Sequence, residues 1–226
     1  MEAAAPGRVV AVIASRLDLA KAVRLRRRPD LFELRLDMLR DSLGELSRIL
    51  PRLSAPLILT ARHPREGGAG GLTLSSRRAL LLRFLDHAAM VDLELRCLSQ
   101  FQALLREIQS RRLDLIVSHH DLRATPTPAR LRELVASAVS FHPAIVKVAT
   151  RTDTTEQVAR LVDFFRETNR RPFPVAAMGL GKLGFASRRQ LRRLGSALNY
   201  ASLGEPNSQG QPTLSQLTRA RHAYIQ

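Results

Sequence analysis

Cysteine is almost missing from this 226-residue chain, where the one thiol is Cys97. A single cysteine excludes an internal disulfide framework and any zinc site built on several thiolates, and it suits a reducing cytoplasm. Tryptophan is absent, tyrosine occurs twice and aromatic residues make up 4% of the chain, so the stacking platforms that hold nucleic-acid bases are scarce. Long hydrophobic runs are missing too. The longest uncharged apolar stretch, residues 9–14, is strand-sized, well short of the roughly 18 residues that read as a membrane span. Residues 1–7 lack the basic start and apolar core of a signal peptide. Acidic residues are few: 20 stand against 36 Lys+Arg, a formal charge of 36 − 20 = +16. The arginines are scattered through apparent helices (Arg24, Arg26, Arg27 and Arg28; Arg77, Arg78 and Arg83; Arg188, Arg189, Arg192 and Arg193) and form no single tail. That pattern reads as a solvated surface with some attraction for anions, polymeric or small, and not as a specific nucleic-acid site.

What the chain has in plenty is alternation. With 45% hydrophobic and 25% charged residues it has the composition of a folded protein, not a disordered one. Short apolar or alternating runs at 9–15, 31–38, 56–62, 90–95, 113–118, 144–150, 173–178 and 197–203 read as strands. Amphipathic stretches lie between them, at 20–28, 41–50 and 75–88, then on the stripes Leu98–Phe101–Leu104–Leu105–Ile108, Leu131–Leu134–Val135–Ala138 and Val158–Leu161–Val162–Phe165, and finally at 185–194 and 213–225. Repeated strand–helix units imply parallel strands with crossover helices. About eight units is the number that closes a (β/α)₈ TIM barrel, whereas an open doubly wound sheet of this length has fewer strands. No linker or composition shift divides the chain, so residues 1–226 read as one barrel domain.

The strand runs break their own pattern in informative ways. Phe32, Leu34, Leu36 and Met38 share one face of the second run, and Glu33, Arg35 and Asp37 share the other. In the fourth, Val91, Leu93 and Leu95 oppose Asp92 and Glu94. An antiparallel sheet would solvate such a polar face; a parallel barrel buries both faces, and charges on the lining face must then pair or bind something. Arg62 ends the third run, Glu66 follows in the next loop, His120 follows the fifth run and Lys147 lies within the sixth. Catalytic groups of barrels gather at that end of the strands. Ile145, Val146, Val148 and Ala149 surround Lys147, and such a dry setting favours an uncharged amine, which can attack a ketone to form an imine. The plainer alternative is a lysine that snorkels to a strand end or pairs with a carboxylate. His119 and His120 point to opposite faces of a strand, which suits one acid/base histidine beside a structural neighbour and makes a poor metal site. Cys97, at a strand–helix junction, reads as a small buried residue. Residues 179–184, Gly-Leu-Gly-Lys-Leu-Gly, match a dinucleotide fingerprint with Glu205 beyond them. Too little sheet follows for a nucleotide-binding half, so a loop at the barrel mouth is the expectation and no cofactor is implied.

Taken in order, Glu33-Leu-Arg35-Leu-Asp37, Arg62 with Glu66-Gly67-Gly68, His120-Asp121, Lys147, Ser187-Arg188 and Gly210-Gln211 resemble type I 3-dehydroquinase (3-dehydroquinate dehydratase) from Val9 to the last helix. The resemblance implies a (β/α)₈ barrel, a cytoplasmic homodimer, and conversion of 3-dehydroquinate to 3-dehydroshikimate in the shikimate pathway without metal or organic cofactor. It implies that Lys147 forms the imine, that His120 is the general acid/base, and that Glu66 orients and tunes it. Glu33, Arg35 and Arg62 would hold substrate hydroxyls and frame the site, Met178 would pack against the ring, and Arg188 would pair with the substrate carboxylate. Gln211 would close the site from the last loop. Where the family commonly reads Ser-Ala-Pro-Gly-Gln, this chain reads Asn207-Ser208-Gln209-Gly210-Gln211, so Asn207, or Ser208 after a one-residue shift, takes the serine's place. A class I aldolase with a strand-six lysine and a basic nucleic-acid binder are the rival readings.

Overall fold

A computed structural model describes residues 7–169 and 173–222; residues 1–6 and the end of the last expected helix lie outside them. Strands β1 (Arg8–Ile13), β2 (Leu31–Arg35), β3 (Leu57–Thr60), β4 (Ala88–Glu94), β5 (Asp114–Asp121), β6 (Ile145–Arg151), β7 (Val175–Leu180) and β8 (Leu198–Ser202) alternate with helices along the chain. These helices are α1 (Arg16–Val23), α2 (Leu43–Ile49), α3 (Leu74–Phe84), α4 (Gln102–Ser110), α5 (Pro128–Val139), α6 (Thr155–Thr168), α7 (Gly184–Arg193) and α8 (Leu214–His222). All paired strands are parallel, in the order β7-β6-β5-β4-β3-β2-β1-β8. The remaining seam, between β7 and β8, is bridged where the Ala197 N–H donates to the Val175 carbonyl at 2.9 Å. The Ser196 hydroxyl also accepts from the Ala177 N–H at 3.1 Å and lies 3.2 Å from the Ala177 carbonyl. The result is the expected (β/α)₈ barrel, nearly closed.

Strand alternation sorts the side chains into two shells. Phe32, Leu34, Leu59, Val91, Leu93, Val117 and Val148 face outward and pack with Leu19, Leu46, Leu81, Phe101, Leu131, Leu161 and Leu191 of the surrounding segments. Val10, Leu31, Ile58, Met90, Ile116, Ile145, Ala176 and Leu198 face inward and fill the floor of the barrel. The polar residues of the same inward rows lie above this floor, toward the C-terminal ends of the strands.

Three boundaries differ from the sequence reading for local reasons. Helix α1 begins at Arg16, not residue 20, because the Ser15 hydroxyl caps it by accepting from the Asp18 N–H at 3.1 Å. Strand β2 stops at Arg35 although the alternation runs on to Met38. Beyond it the Asp37 carboxylate collects the N–H groups of Arg62 at 3.2 Å and Ala69 at 3.0 Å, which turns the chain into the rim. Strand β5 continues to Asp121, past residue 118, because His120 stays in register with Ala149 of β6. The Gly179–Gly184 motif spans the end of β7 and the start of α7 in a closed barrel, not an open nucleotide-binding sheet. Its last glycine lets the final loop approach: a Cβ on Gly210, which has φ +83°, would sit 2.7 Å from the Gly184 Cα.

The seam yields a stability test. Ser196→Ala leaves the buried Ala177 N–H without its partner, which costs about 1–3 kcal/mol. In urea denaturation the midpoint should fall with little change in slope.

Candidate active site

The inward rows of six strands bring a polar cluster together above the apolar floor. Lys147 from the middle of β6 is 3% exposed, and its Nζ donates to Asp92 Oδ2 of β4 at 2.7 Å. Glu33 Oε1 of β2 lies 3.6 Å from the same nitrogen, and the Tyr200 ring of β8 lies beneath it at 4.1 Å. The dry setting and the carboxylate partner, weighed as alternatives in the sequence, are thus present together. Arg62, two residues beyond β3, spreads its guanidinium across the neighbouring walls. Its Nη2 reaches Asp92 Oδ2 at 3.1 Å, and its Nη1 reaches Asp92 Oδ1 at 3.2 Å, Glu94 Oε1 at 3.3 Å and the Ser118 hydroxyl at 2.9 Å. The Ser118 and Thr60 hydroxyls donate to Asp92 Oδ1 at 2.5 Å and Glu33 Oε1 at 2.9 Å, so the carboxylates keep few idle lone pairs. Burial opposes ionisation of Asp92, but the Arg62 and Lys147 cations outweigh it and hold that carboxyl well below the usual carboxylate range.

His120 stands one layer higher on β5. Its Nδ1 lies 2.9 Å from Glu66 Oε2 and 3.3 Å from Arg62 Nη1, and its backbone N–H donates to Glu66 Oε2 at 2.9 Å. Its other ring nitrogen, Nε2, makes no hydrogen bond among the described residues. Glu66 is turned inward by a 3₁₀ turn, Pro64–Glu66, that ends on Gly67 at φ +87°. A Cβ on Gly68 would collide with the Arg62 carbonyl oxygen, which accounts for the Glu-Gly-Gly spelling of this loop. Burial, and after it the Glu94 carboxylate, pushes the Glu66 carboxyl up to about 7. Burial, followed by the Arg62 and Lys147 cations, holds His120 well below the ordinary imidazole range. At neutral pH the imidazole is therefore uncharged, and Glu66 is poised to gain or lose a proton.

Arg188 of α7 approaches from the opposite side of the mouth. Its Nε donates to the Gly179 carbonyl at 2.9 Å and its Nη2 to the Ser208 hydroxyl at 3.3 Å. No carboxylate among the described residues pairs with it, and burial draws its pKa down to about 10. The final loop thus brings Ser208, not Asn207, to the arginine. Asn207 instead donates its backbone N–H to Gln211 Oε1 at 2.8 Å, and its side-chain nitrogen is buried without a hydrogen bond. Met178 lines the inner wall on β7. Arg35 is committed to the rim: Nε and Nη2 grip Asp37 at 3.0 and 2.8 Å, and Nη2 also reaches the Gly67 carbonyl at 3.1 Å. It fastens the loop that carries Glu66.

In the sequence Asp92 and Glu94 stand as charges on the lining face with no role, and Arg77 stands among the arginines of a solvated surface; the structure instead buries Arg77. Arg77 is 1% exposed. It donates from Nε to the Ala61 carbonyl at 2.6 Å, pairs through Nη2 with Glu94, and lies 5.2 Å from the Phe101 ring centroid. The signal was there: position 77 falls one turn before Leu81 on the buried stripe of α3.

This geometry can be set beside known proteins. A family profile described as Type I 3-dehydroquinase matches residues 9–225. The chain belongs to the type I 3-dehydroquinase family. Among curated relatives, the 3-dehydroquinate dehydratase of Methanocella arvoryzae is 30% identical over 213 residues, covering 94% of each chain. A bifunctional 3-dehydroquinate dehydratase/shikimate dehydrogenase of Arabidopsis thaliana is 31% identical over 193 residues, and the chain spans 32% of that longer protein. The solved 3-dehydroquinate dehydratase of Geobacillus kaustophilus superposes with a TM-score of 0.86 at 24% identity, covering 97% of this chain and 91% of that one. The family's barrel is thus reproduced here. Among the described residues no helix is long and apolar enough to cross a membrane.

The paired shifts of Glu66 and His120 oppose each other in the pH dependence of stability. Glu66 titrates at about 7 when folded, so between about pH 4.5 and 7 the folded state holds the extra proton and stability falls as pH rises. His120 is shifted down, so below about pH 6.5 the unfolded state holds the extra proton and stability rises with pH. Wild-type stability should be nearly flat between about pH 5 and 6.5 where the two offset. Glu66→Gln should expose the rising limb and His120→Gln the falling one, each with a slope of up to about 1.4 kcal/mol per pH unit in urea denaturation.

Proposed function

We propose that this chain catalyses the dehydration of 3-dehydroquinate to 3-dehydroshikimate, the third step of the shikimate pathway, through a Schiff base on Lys147. The observation that carries the reading is the juxtaposition of three groups at one barrel mouth: a buried primary amine, an uncharged imidazole backed by a carboxyl, and an arginine with no counter-ion among the described residues. Family membership supports the same substrate.

In this mechanism the substrate carboxylate pairs with Arg188, assisted by the Ser208 hydroxyl, and a bidentate guanidinium fixes its orientation. Glu33 and Arg62 take the ring hydroxyls, Met178 packs against the ring, and Arg35 frames the site. Asn207 and Gln211 belong to the loop that closes over it. The Lys147 amine, once deprotonated, adds to the C3 carbonyl; loss of water gives an iminium, which accepts the electron pair released when the C2 proton leaves. His120 takes that proton on Nε2. With Glu66 ionised, Nδ1–H points at the carboxylate and Nε2 is free to act as a base; with Glu66 protonated, its O–H faces Nδ1 and Nε2 carries the proton as an acid. The departing C1 hydroxyl leaves as water with that proton. Hydrolysis of the imine then releases 3-dehydroshikimate and restores the amine. Asp92, held ionised by its two cations, keeps Lys147 in place and is not the base. The reading includes a cytoplasmic homodimer, which light scattering would register as twice the 25.2 kDa chain.

The deciding experiment is borohydride reduction in the presence of 3-dehydroquinate, followed by intact mass. Wild type should gain one covalent adduct, and Lys147→Ala should gain none and form no product while keeping its circular dichroism spectrum. An unmodified wild type would refute the imine. His120→Ala should lower kcat about 10²–10⁴-fold, read from the growing absorbance of the conjugated product, and should still be trapped; unimpaired turnover would remove it from the mechanism.

A further inference from the structure

Outside the barrel lumen, behind the loop that carries Glu66, lies a cleft of about 390 Å³ lined by His63, Arg65, Arg77, Arg96, Cys97 and Gln100, with Leu72 and Leu74 at its edge. None of Lys147, His120, Glu33 or Arg188 borders it. Its polar lining is made almost entirely of donors. The Arg65 guanidinium makes no ion pair among the described residues, and neither does the Gln100 amide make a hydrogen bond there. Arg96 reaches one carboxylate, Glu66 Oε1, at the long distance of 3.9 Å. Arg77 closes the back wall, its own charge matched by Glu94 on the far side. His63 is part of the same wall: burial, and then the Arg77 and Arg96 cations, hold its pKa below the usual imidazole value, so it stays neutral at pH 7. Two weakly engaged guanidiniums and an amide around a small concave space form an anion receptor without an anion of the chain's own to fill it.

We propose that this cleft is a second anion-binding site, separate from the substrate pocket, that takes a small dianion carrying a phosphate group. The Arg65 and Arg96 guanidiniums, both exposed on the wall of this one cleft, can share the three or four oxygens of a phosphate, more acceptors than one carboxylate supplies. The ligand is either free phosphate or a small phosphomonoester, which the volume accommodates. Arg96 is the physical link to the reaction described above: a bound anion competes with Glu66 for it, so the cleft lies one side chain from the catalytic imidazole. That link rests on the proposed dehydratase reading, whereas binding itself does not.

The test is isothermal titration of the full chain at low salt with inorganic phosphate and, separately, with glycerol phosphate. Saturable binding is expected, weakened about tenfold or more by Arg65→Ala and by Arg96→Gln, the loss of one charged hydrogen-bonding partner each. Arg166→Ala, on α6, which does not border the cleft, and Arg188→Ala, in the substrate pocket, should each leave the affinity within about twofold, because additive distant sites do not couple. Tighter binding of one ligand identifies which source of phosphate the cleft prefers. Absence of binding by both overturns the proposal. So does an equal loss with Arg166→Ala, which would mark attraction to the overall +16 charge, or a loss confined to Arg188→Ala, which would move the anion to the substrate pocket. Thermal melts of each variant establish that it is folded before titration.

Discussion

The carboxylate of Asp92 is the contact on which the interior depends. Arg62 binds both of its oxygens and Lys147 binds one, while the Ser118 hydroxyl donates to the other. Around it three cations, Lys147, Arg62 and Arg77, face three carboxylates, Glu33, Asp92 and Glu94, so the cluster is balanced in charge. Balance is what makes such burial tolerable. Each ion loses several kcal/mol of hydration in the interior, recovered only when partners and hydrogen bonds are well placed. The strands supply that placement: inward-pointing residues of alternate barrel strands stack in layers, which sets Glu33 of β2, Asp92 of β4 and Lys147 of β6 side by side.

The balanced cluster leaves two features unbalanced, and these are where chemistry can occur. Arg188 stands across the mouth with no carboxylate among the described residues to meet it, which leaves that side of the mouth able to take an anion. Glu66 and His120 are pushed in opposite directions by one environment: burial favours the neutral form of each, while the cations beside the imidazole oppose its protonation. With the carboxyl raised and the imidazole lowered, a proton on the pair can rest on Glu66 while the imidazole stays neutral, which suits a group that must serve as both acid and base. Arg77 and Arg35 act further out. Arg77 neutralises Glu94 from behind the wall, and Arg35 ties the Glu66 loop to Asp37.

Much of this was legible in the chain. The alternation of strand-like and helical periods gave the barrel, because both faces of its strands are buried and the helices are amphipathic. Charges interrupting apolar runs, at Glu33, Asp92, Glu94 and Lys147, gave the polar layer of the lumen. What was not legible depended on contacts distant in sequence. The end of β2 is set by Asp37 capturing the N–H groups of Arg62 and Ala69, which alternation alone cannot foretell. Arg77 sits among other arginines of α3 and resembles them until Glu94 is seen across the wall. The choice between Ser208 and Asn207 needed the path of the final loop, where Gln211 turns Asn207 away from Arg188.

Removing one charge from the balanced cluster without changing its shape tests the central claim most directly. Asp92→Asn keeps the side chain's outline and takes away the carboxylate shared by Arg62 and Lys147. Urea denaturation at pH 7 should show a loss of about 3–5 kcal/mol, the cost of leaving buried charge uncompensated. A variant within about 0.5 kcal/mol of wild type, the range of an unremarkable surface substitution, would contradict the view that this carboxylate holds the site together.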